Sequence, residues 1–445
     1  MKQYEKVMHH VQTLADKGNL KTGDRLPSIR SLSEALSLSP ASVIKAYQLM
    51  EAGHKIYVIP KSGSYWMDNR EASVTETDVF DFTRITPDPM LIPFKEFQYC
   101  LSQAINLYKR ELFGYGNGQG LPKLLETLIP HLANAQLFCH PEQLFITSGS
   151  QQALTLLALM FHHLCPQKAG GILVEQPSYA AFLDFCTLQG IPITGIRRNA
   201  AGLDFKQLEA AFKTGRYSAF YTMPRCQNPL GTSLSEKDKL RLVSLAEKYK
   251  IYIIEDDYLA DISTQPKVFP LYYYDTSDRV IYVKSFSKIF LPGIRLGLAI
   301  LPASLKEPFL REKTAHDIST AVLPQGALEL FISSGLYDRH IRRCHSVYKK
   351  KTLRASHILS QIVQPQVSVL PPSDGFLTSL EFSDDYPLPR LQKLLHQRGV
   401  IVSGSDSSYL PGYAHLRGIR LCYAALSEAV IDKGLSVMVQ TINAL

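Results

Sequence analysis

The sequence predicts an α/β protein in two parts. A small helix-turn-helix head with a β-hairpin precedes a large body built on a mainly parallel sheet. Three observations carry this expectation. From residue 80 onward, short runs that are apolar on both sides (171–175, 218–222, 251–255 and 280–283) alternate with amphipathic stretches such as Glu236–Tyr249, the pattern of strands covered by helices on both faces. Residues 1–70 carry ten Lys/Arg against six Asp/Glu, so half of the net charge of +8 sits in a small part of the chain. Residues 69–79 are polar and lack periodicity, which is the composition of a linker. The expected domains are therefore 1–68, a linker at 69–79, and a body at 80–445.

The 445 residues, 45% hydrophobic and 20% charged, have ordinary globular composition. The longest apolar stretch, around residues 153–161, falls short of the roughly 18 residues needed to cross a bilayer. The first six residues lack the apolar core of a signal peptide. No membrane association is expected, and a cytoplasmic location is. Seven cysteines without a Cys-x-x-Cys pair argue against structural zinc or a disulfide framework, so no metal site is expected.

In the head, residues 4–17 read as an amphipathic helix with Val7, Val11 and Leu14 on one stripe. Ser28 caps a short helix whose inward residues are expected to be Ile29, Leu32, Ala35 and Leu36. After the turn Ser37-Leu38-Ser39, Ser39 caps and Pro40 opens a third helix, running to about residue 52 with Val43, Ala46, Tyr47 and Met50 inward. Two short helices joined by a three-residue turn form a helix-turn-helix outline. Residues 56–59 and 64–67, separated by Pro60-Lys61-Ser62-Gly63, read as a β-hairpin, or wing.

In the body, chemistry-bearing residues follow the carboxyl ends of strands, where ligands bind in open α/β sheets. Lys288, in Ser285-Phe286-Ser287-Lys288, is a candidate Schiff-base amine, with Lys284 as its competitor. Asp256 stands where a carboxylate can pair with a protonated ring nitrogen, with Tyr258 two residues on; Asp257 is the alternative. Asn228, fixed by Pro229, is a candidate donor to the same ring. Thr147-Ser148-Gly149-Ser150-Gln151-Gln152 opens a helix and offers backbone N–H groups to a phosphate, with Ser285 and Arg295 able to complete the cup. Tyr179 is placed to stack on an aromatic ring. Arg420, or Arg417, suits bidentate capture of a carboxylate.

The stretches Leu26-Pro27-Ser28-Ile29-Arg30-Ser31-Leu32 and Ser42-Val43-Ile44-Lys45-Ala46-Tyr47, with Gly53 and Ser62-Gly63-Ser64, resemble the winged-helix domain of GntR-type bacterial regulators. The resemblance implies promoter DNA as partner, the helix from Pro40 in the major groove, and Arg25, Arg30, Ser42, Lys45 and Lys61 as contacts. Ser39-Pro40-Ala41-Ser42 lacks the arginine common at this helix entrance.

The ordered set in the body resembles the fold-type I aminotransferases, which use pyridoxal phosphate and add a smaller α+β C-terminal domain. That resemblance implies Lys288 as the Schiff-base lysine, Asp256 on the pyridine nitrogen, and Tyr258 and Asn228 on the phenolate oxygen. It implies Tyr179 stacking on the ring, Ser150, Gln151, Ser285 and Arg295 on the phosphate, and Arg420 on a substrate carboxylate. Tyr115, in Tyr115-Gly116-Asn117-Gly118, matches the tyrosine that reaches the partner subunit's phosphate in a homodimer, and Leu230 stands where threonine is usual. The combination resembles the MocR subgroup of GntR regulators. It implies a pyridoxal-phosphate-dependent transcription regulator responding to an amine or amino acid. A working aminotransferase and a sensor of the cofactor alone are the alternatives.

Overall fold

The computed structural model describes residues 2–17, 20, 23–52, 55–59, 62–67, 79–262, 268–370, 375–413 and 417–445. Two compact units divide between residues 78 and 79. The expected linker, apart from Val79, and Gly53, Pro60 and Lys61 lie outside the described residues.

In the first unit, helices α1 (Gln3–Asp16), α2 (Ile29–Leu36) and α3 (Pro40–Ala52) precede the antiparallel strands β1 (Ile56–Ile59) and β2 (Gly63–Trp66). Ser28 accepts from the Ser31 N–H and caps α2, and the Ser39 hydroxyl accepts from the Ser42 N–H at the start of α3. Ser37, in the left-handed region at φ 53°, turns the chain between them. Val7, Val11, Leu32, Val43, Ala46, Tyr47, Met50 and Trp66 form one core. The α3 stripe matches the sequence expectation in full. The α2 stripe does not: Ile29 and Ala35 are exposed, and this eight-residue helix meets the core through buried Leu32 and partly buried Leu36. Arg25 pairs through its backbone with Tyr65, so the segment before α2 adds a third partner to the wing.

The second unit begins with a short strand, β3 (Phe80–Asp81), and then builds an eight-stranded sheet. Its strands are β4 (Leu144–Thr147), β5 (Gly171–Gln176), β6 (Ile193–Asn199), β7 (Gly202–Leu203), β8 (Tyr217–Thr222), β9 (Tyr252–Asp257), β10 (Val280–Ser285) and β11 (Gly297–Ile300). They lie in the order β4-β11-β10-β9-β8-β5-β6-β7. The pairs β6–β5, β5–β8, β8–β9 and β9–β10 are parallel, and β11 runs against both neighbours. Parallel neighbours need crossovers, supplied here by helices such as Ala180–Leu188 and Glu236–Tyr249. The strands read from sequence are β5, β8, β9 and β10.

The reversed direction of β11 matters for the site. Its first residue, Gly297, lies in register with the last residues of β4 and β10, Thr147 and Ser285. Arg295, two residues earlier, therefore sits on the same sheet edge as the carboxyl ends of the parallel strands.

A smaller antiparallel sheet follows, made of β12 (Val367–Leu370), β13 (Leu377–Phe382), β15 (Ser403–Gly404) and β16 (Gly418–Cys422) in the order β12-β13-β16-β15. Between β13 and β15, strand β14 (Val400–Ile401) pairs in parallel with β3 and ties the start of the unit to its C-terminal part. Helices Leu336–Leu359, Leu388–Gln397 and Glu428–Asn443 complete this region.

Candidate functional site

A cavity opens at the carboxyl edge of the large sheet, lined by Ile85, Ser150, Tyr179, Met223, Asn228, Asp256, Tyr258 and Lys288. Six chain segments converge here because strand ends leave unpaired backbone and loop residues free to face a ligand.

Asp256 lies on β9 and is almost fully buried. Its Oδ2 accepts the Tyr221 hydroxyl at 2.9 Å, and its Oδ1 is buried with no hydrogen-bond partner. Burial pushes this carboxyl up to about 7, against the lowering effect of Tyr221 and Lys288. Asp257 points elsewhere, held in an ion pair with Arg225 and by the Tyr282 hydroxyl at 2.8 Å. Alternation along a strand sends the two neighbours to opposite faces.

Lys288 follows β10 and donates to the Ile85 carbonyl at 3.1 Å. Burial holds its ammonium below the usual lysine range, with Arg295 and Arg420 adding to the effect and Asp256 opposing it. Lys284, its sequence competitor, is engaged in a buried pair with Asp261 at 2.6 Å and does not line this cavity.

Asn228 accepts from Arg420 Nη1 at 3.3 Å, and Arg420 Nη2 donates to the Thr83 carbonyl at 2.8 Å. Arg420 Nε is buried without a partner. Arg417 is turned outward and spent on the carbonyls of Ser383, Asp384 and Tyr386. Tyr258 donates its hydroxyl to the Cys226 carbonyl at 2.7 Å, so it meets the cavity as an acceptor.

The helix Ser150–Leu164 starts at the cavity, with Gly149 as its N-cap. A Cβ added at Gly297 would fall 2.7 Å from the Ser150 nitrogen, so β11 packs backbone to backbone against this helix start. Arg295 Nη2 lies 3.4 Å from the Ser148 carbonyl. Ser285 is buried beside it, its Oγ accepting from the Ser287 N–H at 3.2 Å, and Gln151 Oε1 is buried without a partner. Tyr115 is 92% exposed and stands away from the cavity.

Sequence reasoning missed Tyr221, which reads as one more core residue of an apolar strand. It also missed the segment Thr83–Ile85, whose contribution is through backbone carbonyls and has no side-chain signal. Among the described residues no cluster of His, Cys, Asp or Glu is arranged to hold a metal, and no helix is long and apolar enough to cross a membrane.

On the head, Arg25, Arg30 and Lys45 are exposed. Arg25 lays its guanidinium against Gly63 at the wing, Arg30 pairs with Glu34 at 3.1 Å, and Lys45 Nζ sits 4.9 Å from the Tyr4 ring centroid. Ser42 is half-buried and donates to Gln3 at 3.0 Å. Lys61 lies outside the described residues.

Residues 3–65 match the family "Bacterial regulatory proteins, gntR family", and residues 95–438 match "Aminotransferase class I and II". The uncharacterized HTH-type transcriptional regulator YcxD of Bacillus subtilis is 38% identical over 98% of this chain and 99% of its own length. The probable rhizopine catabolism regulatory protein MocR of Rhizobium meliloti is 27% identical, over 75% of this chain and 72% of its own. Among solved structures, Pyrococcus horikoshii kynurenine aminotransferase, crystallised in complex with PMP, superposes with a TM-score of 0.76 at 24% identity, covering 83% of this chain and 92% of that one. LysN, the α-aminoadipate aminotransferase of Thermus thermophilus, gives 0.74 at 23% identity, covering 83% and 93%.

Proposed function

The chain belongs to the GntR-type transcriptional regulators that carry an aminotransferase class I and II domain, and on that premise we propose that its body holds pyridoxal 5'-phosphate and reads an amine or amino acid for the DNA-binding head. The observation that carries this reading is the pairing, in one cavity, of the Lys288 amine with a buried Asp256 oxygen that has no partner.

The residues fit the group. An unpartnered buried carboxylate oxygen costs free energy unless a donor or cation faces it, and a protonated ring nitrogen is such a donor. Ser150 at a helix start, with Arg295 beside it, offers N–H groups and positive charge to a phosphate. Pyridoxal phosphate, when bound, supplies an aldehyde that captures a primary amine and a ring that withdraws electrons.

The chain's own residues do the rest. Burial lowers the proton affinity of Lys288, which raises the share of neutral, nucleophilic amine. Tyr221 fixes Asp256 through one oxygen and leaves the other for the ring nitrogen. Tyr179 covers one side of the cavity. Arg420 holds the carboxylate of an amino-acid ligand, and to do so it gives up its bonds to Asn228 and the Thr83 carbonyl. Lys288, once engaged, releases the Ile85 carbonyl. Both carbonyls belong to the segment directly following the linker, the Ile85 one given up when the cofactor engages Lys288 and the Thr83 one when a ligand engages Arg420, so occupancy of the site acts on the part of the chain that leads to the head. A ligand shifts such an equilibrium only by its differential affinity for the two states.

The regulator works in the cytoplasm as a homodimer, in which Tyr115 reaches the partner's phosphate. The exposed apolar residues Phe94, Tyr99, Leu107 and Phe113, near Tyr115 in the chain, support a covered surface here.

The test is spectroscopic. Mixing the purified chain with pyridoxal phosphate is expected to give a visible band, fixed by borohydride as added mass on the Lys288 peptide and absent in Lys288→Ala. An amino acid is then expected to alter the salt-sensitive affinity for DNA upstream of the gene. A colourless protein with no added mass overturns the reading. Steady turnover of an amino-acid/oxo-acid pair without any effect on DNA binding would make the chain an enzyme instead.

A further inference from the structure

The outward face of α3 carries Ala41, Ile44, Lys45, Gln48 and Leu49, all exposed, opposite the buried Val43, Ala46, Tyr47 and Met50. Ile44 is 41% exposed, a large apolar side chain on the helix that a helix-turn-helix head presents to the major groove. Of the polar side chains nearby, Ser42 is on this helix, and Arg30 and Arg25 lie off this face, Arg30 on α2 in a surface pair that leaves it 91% exposed. Ser42 donates to Gln3, Arg30 pairs with Glu34, and Arg25 lies on the wing against Gly63. Lys45 is drawn toward the Tyr4 ring at the flank of the face.

In the major groove only thymine presents a methyl group, and adenine offers the donor–acceptor pair that a glutamine amide matches bidentately. Guanine is read best by an arginine or lysine reaching O6 and N7. α3 has no arginine, and its single described lysine stands at the flank.

We infer that this head reads A·T pairs: Ala41 and Ile44 contact thymine methyls, Gln48 contacts adenine, and Arg25 and Lys45 hold phosphates. The inference rests on the head being a DNA-binding unit and goes beyond it by naming the bases.

The full-length chain is used to select from a random duplex library at moderate salt. The expected half-sites hold A·T pairs at the positions facing α3. Replacing thymine by deoxyuridine there is expected to weaken binding by roughly fourfold per methyl, the size of one buried methyl group. Ile44→Ala is expected to lose the discrimination at the methyl Ile44 contacts, that at Ala41 persisting, while keeping its thermal melting point, since Ile44 is outside the core. Lys45→Ala is expected to weaken all sequences alike and to lower the salt dependence. Half-sites with G·C pairs at these positions, or indifference to deoxyuridine, overturn the inference alone. Enrichment of no sequence overturns it together with the DNA-binding assignment of this surface.

Discussion

Asp256 and Asp257 show how much one residue's setting decides. Both are buried at the end of β9, yet Asp257 is neutralised by Arg225, and Asp256 keeps an oxygen without a partner. The raised proton affinity of Asp256 has a sign that can be measured. Its carboxyl titrates at about 7 in the folded chain against an ordinary 3.8. Between those values the folded state binds the extra proton, so stability falls as pH rises, and above about 7 the penalty is complete. In the cofactor-free protein, Asp256→Asn is therefore expected to gain in Tm over the native chain as pH goes from about 5 to 8. Parallel Tm–pH curves for the two proteins would show that Asp256 ionises normally.

At the scale of elements, the wing depends on Gly63. Its φ of +133° is open to glycine and strained for other residues, and an added Cβ would meet Arg25 Nε at 2.8 Å. Gly63→Ala is expected to destabilise the head by about 1 kcal/mol or more and to shift Arg25 off the wing. DNA affinity should drop several-fold with cofactor absorption unchanged, read by fluorescence anisotropy and the visible spectrum. The same scale explains β11. Gly-Leu-Ala-Ile looks like any other apolar strand, and its reversed direction, which brings Arg295 to the site edge, comes from pairing with Thr147 and Ser285.

At the scale of the whole molecule, the segment after residue 79 links the site to the C-terminal part of the second unit. β3 pairs with β14, the Cys422 N–H donates to the Phe82 carbonyl at 2.9 Å, and Asp88 anchors the far end against Lys351 at 2.7 Å and the Tyr348 hydroxyl at 3.0 Å. Between these anchors lie the two carbonyls held by Arg420 and Lys288. Asp88→Asn keeps the size of the side chain and removes the charge opposite Lys351. Cofactor uptake and ligand-free DNA binding are expected to persist, with the amine response of DNA affinity reduced several-fold. An unchanged response in a titration of the bound operator would place the coupling elsewhere.

The sequence by itself determined the two-part plan, the α3 stripe, four central strands, and Lys288, Asp256, Asn228 and Arg420 as candidates, because hydrophobic period and strand-end position are local properties. It left Lys284 against Lys288, Asp256 against Asp257, and Arg417 against Arg420 undecided. Each of those choices depends on which partner is near in space: Asp261 takes Lys284, Arg225 takes Asp257, and three carbonyls take Arg417. Tyr221 and the carbonyls of Thr83 and Ile85 were beyond its reach for the same reason. A backbone oxygen has the same chemistry at every position, and only the tertiary structure decides which ones face a cavity.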